Sequence, residues 1–282
     1  MSRFIAFIVV LGALCLPTFA EDDLSKLSDE FDTPATLKDW QRISKDHGTP
    51  DQLEIFDINK TKSGHMVMVP YSSVWYQRYR GVLAYKTVSG DFVITTAIKT
   101  SNRAKNAAPR RSYSLAGIMI HTPVDPTGAH NYIFLSHGSA QRPGTYQFEV
   151  KTTVNNRSKL QVDNAGTDHA IIQVARIGDT VITLKQVNGV WSVHQRYHRP
   201  DFPTTMQAGL TCYTDWDTCK NIQPLQHNRT VIKNGQPDLY AEFDYVRYAR
   251  PKVPASLQGR SLMNTQQVSD AQLLRFLGKN AH

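Results

Sequence analysis

The chain has 282 residues and carries 32 Lys and Arg against 24 Asp and Glu, a net charge of +8. A basic balance suits nucleic acid or acidic polymers. Here Lys and Arg are scattered, with one cluster at Arg103, Lys105, Arg110 and Arg111 in a loop with Pro109 and several Ala, and no nucleic-acid module pattern accompanies them. Nucleic acid is thereby excluded as an expected partner, while acidic polysaccharide stays open.

Residues 1–20 read as a signal peptide. Arg3 supplies the positive start, residues 4–16 are almost unbroken apolar chain, and Ala20 ends a small-residue site before Glu21, Asp22 and Asp23. The run is shorter than the ~20 apolar residues that span a bilayer, and no other stretch approaches it. The mature chain is therefore expected to lack a transmembrane segment and to be secreted, periplasmic or otherwise extracytoplasmic. Cys15 goes with the signal; the bulky Leu14 before it argues against lipidation.

Residues 27–250 predict a single all-β domain, because strand signals recur with no convincing helical period. In residues 91–99, Phe92, Ile94 and Ile98 share one face. In residues 146–151, Tyr146, Phe148 and Val150 alternate with polar residues. Residues 116–120 and 131–135 are more uniformly apolar, as strands buried on both faces are. Val187-Asn188-Gly189-Val190 predicts a type I′ hairpin and Ile177-Gly178-Asp179-Thr180 a type II′ hairpin, since Asn and Gly accept the positive φ that these turns need. Together they predict a three-stranded meander over 170–176, 180–187 and 190–197. Strands at this spacing predict a two-sheet antiparallel β-sandwich.

Without the signal, Cys212 and Cys219 remain as an even pair in an oxidising compartment. A disulfide is expected between them, pinning the segment that holds Asp215 and Trp216. A metal site is the weaker alternative, for one Cys pair without a nearby His is a poor ligand set. Residues 251–268, with Pro251 and Pro254, predict a linker. Residues 269–278 predict a short C-terminal helix, capped by Ser269 or Asp270, stopped by Gly278, and docked on the sandwich.

Landmark residues along this order resemble a known family. Asp29-Glu30-Phe31-Asp32 with Leu37 and Trp40 resembles the opening strand of concanavalin A-like sandwiches of the DUF1349 group and of the C-terminal domain of family 43 β-xylosidases. Val88-Ser89-Gly90-Asp91-Phe92-Val93 resembles their "GDFxV" strand, Leu115–Ile120 their "AGLMI" strand, and Glu242–Arg247 their closing strand. The resemblance implies a jelly-roll sandwich related to lectins and glucanases. It does not by itself specify an activity.

A hydrolase needs two carboxylates flanking the bond. Glu242-Phe243-Asp244 echoes the first two acids of the glucanase strand, but Arg247 stands where a third acid belongs, so Asp244 reads as structural. Glu54 and Asp57 have the wrong spacing for one strand face. No catalytic residue is identified. Aromatic residues with polar neighbours suit sugar faces and hydroxyl edges, which makes Trp75, Tyr76, Arg78 and Tyr79, in the dense 71–79 segment, and Trp216 the candidate ligand-binding residues. Core packing is the competing role for Trp75. The ten histidines show no metalloprotease-like spacing. No cofactor is expected; Asp125, Asp215 and Asp217 form an incomplete oxygen set for calcium. The leading reading is a secreted carbohydrate- or ligand-binding sandwich with a polysaccharide or glycan as partner. A structural envelope protein and a glycoside hydrolase-type enzyme on the same fold are the alternatives.

Overall fold

The structure, a computed structural model, describes residues 22–124 and 128–278; the signal segment, Cys15 and Asp125 lie outside them. The strands are β1 (Gln41–Arg42), β2 (Leu53–Ile58), β3 (Met66–Pro70), β4 (Val82–Ser89), β5 (Phe92–Ser101), β6 (Ser114–His121) and β7 (Tyr132–Ser139). They continue as β8 (Gln147–Val154), β9 (Arg157–Asn164), β10 (His169–Ile177), β11 (Thr180–Val187), β12 (Val190–His198), β13 (Thr205–Tyr213) and β14 (Tyr240–Ala249). Short helices are α1 (Ile43–Asp46), α2 (Trp216–Cys219), α3 (Pro224–Asn228) and α4 (Asp270–Phe276).

Two seven-stranded antiparallel sheets face each other. The front sheet runs β1-β4-β13-β6-β7-β8-β9 and the back sheet β12-β11-β10-β5-β14-β3-β2. Period-two alternation fills the space between them. Phe92, Ile94 and Ile98 of β5, Phe148 and Val150 of β8, and Met206, Ala208 and Leu210 of β13 all enter one buried cluster. Each of the larger side chains contributes about 1.5–3 kcal/mol by leaving water, the Ala208 methyl less.

The strands expected to be buried on both faces are so. Ile118, Ile120, Ile133 and Leu135 look into the sandwich. Leu115, Met119, Tyr132 and Phe134 join a second cluster on the outer face of the front sheet, with Val74 and Trp75. The reason is that residues 71–79 do not run on as a strand. They cross the outer face of the front sheet as a strap, held by isolated bridges Ser72 to Ile232 and Ser73 to Thr214.

Both hairpins have the expected chemistry. Asn188 and Gly189 hold φ of 50° and 78° between β11 and β12, and Gly178 holds 56° between β10 and β11. A third turn, Asn155-Asn156 between β8 and β9, was not read from the sequence; its φ values of 48° and 61° are ones Asn tolerates.

The C-terminal helix is capped by Ser269 in a capping box with Gln272. It docks on the back sheet's outer face, where Leu273, Phe276 and Leu277 meet Val93, Ala175, Ile182 and Leu184. Leu257, Leu262 and Val268 of the preceding segment enter the same cluster. At the other end of the chain, Asp29 bridges to Val246 and Glu30 pairs with Arg247.

The expected disulfide is corrected. Cys212 and Cys219 are both buried and both free. Alternation along β13 turns Cys212 inward beside Leu210, whereas Cys219 on α2 joins the outer-face cluster. The front sheet stands between the two thiols. Burial pushes the pKa of each well up, so neither is a ready thiolate.

Candidate functional site

With Phe148 and Val150 inward, β8 must present Glu149 and Lys151 on the outer face of the front sheet. The strap roofs them, and the side chains of Lys151 and Glu149 are only 2% and 0% exposed. Lys151 Nζ lies 3.0 Å from Glu149 Oε1 and donates to the Trp75 carbonyl at 2.7 Å. Tyr213 Oη donates to Glu149 Oε2 at 3.0 Å. The ammonium is ringed by Phe134, Tyr213 and Tyr76 at 4.7, 5.3 and 5.5 Å. Such pairs are retained when several partners offset the loss of water. Burial pulls the Lys151 pKa down while Glu149 opposes it. Burial and Glu149 push Tyr213 far up, so its phenol stays protonated and donates.

Above this floor opens a pocket of about 210 Å³. Lys151 and Tyr213 form its base, and Trp75, Tyr76, Tyr113, Leu160 and Trp216 are among its walls. Trp216 stands edge-on to Tyr76 at 5.5 Å and to Tyr79 at 5.8 Å, and lies 6.5 Å from Tyr113. Asp215, in the left-handed region at φ 67°, launches α2 and so aims Trp216. Its carboxylate accepts from Ser72 Oγ at 2.6 Å and from the Gln236 amide at 2.7 Å, which ties the strap to α2.

The five residues singled out in the sequence are dispersed over this site. Tyr76 and Trp216 are half-buried walls. Trp75 is 1% exposed; its Nε1 donates to the Val82 carbonyl at 2.9 Å and its ring packs on His121, His130 and Tyr132. Tyr79 stands behind Trp216, its hydroxyl donating to the Ile222 carbonyl at 2.9 Å. Arg78 is exposed at the strap's tip, where its carbonyl accepts from Asn228 Nδ2. Sequence reasoning missed Glu149, Lys151, Tyr113, Leu160 and Tyr213. The signal for the first two was present: the alternating 146–151 run carries Glu and Lys at i and i+2.

Other polar candidates resolve into structural contacts. Glu242 pairs with Lys62 at 2.7 Å, and Asp244 is exposed at a bulge of β14. Both acids line one cavity on the outer face of the back sheet with His65 and His169, Glu242 tied to Lys62 and Asp244 out in solvent. Asp217 accepts from Ser112 and Lys220. Among the described residues, no group of three or more His, Cys, Asp or Glu is arranged to hold a metal. His121 donates from Nδ1 to Gln207 Oε1 and accepts at Nε2 from His130 Nδ1, at 2.7 and 2.6 Å. Burial drives their pKa values down to about 3 and about 2, so both are neutral packing groups. Among the described residues, no helix is long and apolar enough to cross a membrane.

No family model matches the sequence, and no curated protein is similar to it at the sequence level. Solved structures do resemble it. A functionally unknown protein from Saccharomyces cerevisiae is 11% identical with a TM-score of 0.53, over 76% of this chain and 98% of that one. The GH43 BlXynB protein from Bacillus licheniformis and a xylan beta-1,4-xylosidase from Bacillus halodurans C-125 are each 14% identical, with TM-scores of 0.53 over 84% of this chain. The chain spans 41% of the length of each of these two Bacillus proteins. At such identities the likeness speaks to fold alone, and the narrower likeness to DUF1349 has no matching family model behind it. The chain has a two-sheet antiparallel β-sandwich fold, which it shares with these solved structures.

Proposed function

We propose that this chain is an extracytoplasmic carbohydrate-binding sandwich, with the pocket between Tyr76, Tyr113 and Trp216 as its binding site. The observation that carries the reading is a pocket with aromatic walls over a polar, charged floor. Sugars offer apolar CH faces to rings such as Tyr76, Tyr113 and Trp216, and hydroxyls to a polar floor such as that of Lys151. The signal-like residues 1–20 support an extracytoplasmic location.

A hydrolase would need an acid pair ~5–5.5 Å or ~6.5–9.5 Å apart. Among the described residues lining this pocket there is no carboxylate. Glu149 lies beneath, committed to Tyr213 and Lys151. Recognition is therefore the better-supported chemistry here.

A glycan array probed with the full chain tests the reading, followed by the same array with Trp216→Ala. Loss of a half-buried ring of this kind should cost about 2 kcal/mol, or about thirtyfold in affinity. Absence of any saccharide signal from the folded wild type, or an unchanged signal in the variant, rejects the site.

A further inference from the structure

An open groove across a sheet takes the middle of a polymer; a closed pocket takes an end. The outer face of the front sheet here is not an open groove. The strap crosses it, and Trp75 fills the space over β6 and β7 against His121 and Tyr132. Ile43 of α1 packs on the same face with Leu83 and Tyr85 of β4. Next to the pocket, the strap and α2 meet: Trp216 contacts both Tyr76 and Tyr79, and Asp215 clamps Ser72. A chain lying across the sheet would have to pass through these contacts.

What remains is the cavity of about 210 Å³ above Lys151 and Tyr213, bordered by Leu160 of β9. It is smaller than the ~300–1,000 Å³ of pockets that enclose drug-sized ligands, and in scale with one sugar ring. Lys151 Nζ, which donates to the Trp75 carbonyl and lies 3.0 Å from Glu149 Oε1, sits at the bottom of this cavity as its polar group.

Resting on the binding function above, we propose that this pocket is a dead end that takes the terminal unit of a glycan chain and not an internal stretch. The strap and α2 are the specificity-determining elements, because their contact closes the path across the sheet.

The test uses the full chain and the best-binding glycan from the array, as a ladder of two to six units and as the parent polymer. Calorimetry should give one protein per chain end at every length and an affinity per end constant within about twofold. Chemical modification of the recognised terminal unit should weaken binding about tenfold or more, the worth of a charge-assisted hydrogen bond. Binding that strengthens with each added unit, or several proteins bound along one linear polymer, overturns the terminal-unit inference while leaving carbohydrate binding intact. No saccharide bound by the folded protein overturns both.

Discussion

Lys151 and Glu149 show how a residue's meaning depends on what covers it. Their positions on β8 were readable from alternation, and alternation alone assigns them to solvent. The covering strap comes from residues 71–79, far away in sequence, so burial of the pair could not be read locally. The same nonlocality divides the aromatic candidates: Trp75 went to packing and Trp216 to the pocket wall, although both looked alike beside polar neighbours. The cysteines differ, because the inward parity of Cys212 was visible in Met206, Ala208 and Leu210. Removing only one partner of the pair leaves a buried charge. Lys151→Met should therefore cost about 3–5 kcal/mol of stability, whereas Glu149→Gln with Lys151→Met should recover much of that loss. Urea unfolding of the three proteins compares them; a double variant as unstable as the single one would contradict the pairing argument.

At the scale of elements, the turns and strands carried most of what the sequence revealed. Asn188-Gly189 and Gly178 set their hairpins through backbone freedom that few residues share. Ser269, one of the two cap candidates, likewise marked the start of α4, where the structure completes a capping box with Gln272. What was illegible is where α4 docks, since a short amphipathic helix could rest on either sheet. It covers Val93, Ala175, Ile182 and Leu184 on the back sheet. Ending the chain after Arg250 uncovers this apolar patch, and such patches drive association. The truncated protein should bind a hydrophobic dye and aggregate at concentrations where the full chain is monodisperse. A soluble, dye-silent product would show that the tail is dispensable for covering the sheet.

Across the whole molecule, buried histidines give the fold a shared sensitivity to acid. Burial lowers His137 and His227 to about 4, alongside His121 at about 3 and His130 at about 2. The unfolded chain takes up these protons near pH ~6.5, so stability is intact above that value and falls as pH drops towards the folded-state values. Each site can remove at most about 1.4 kcal/mol per pH unit in that window. The melting temperature should fall between pH 7.5 and 5; a flat profile would contradict neutral burial of these rings.

The order in which the chain is made has its own consequence. Among the described residues β14 is the last strand in sequence, yet it sits between β5 and β3 inside the back sheet. Until Tyr240–Ala249 arrives, those two neighbours flank an empty slot, and the Asp29–Val246 clip at the N-terminal end has nothing to grip. A chain still being synthesised therefore stays open until Tyr240–Ala249 is available, and closes late through this distant pairing.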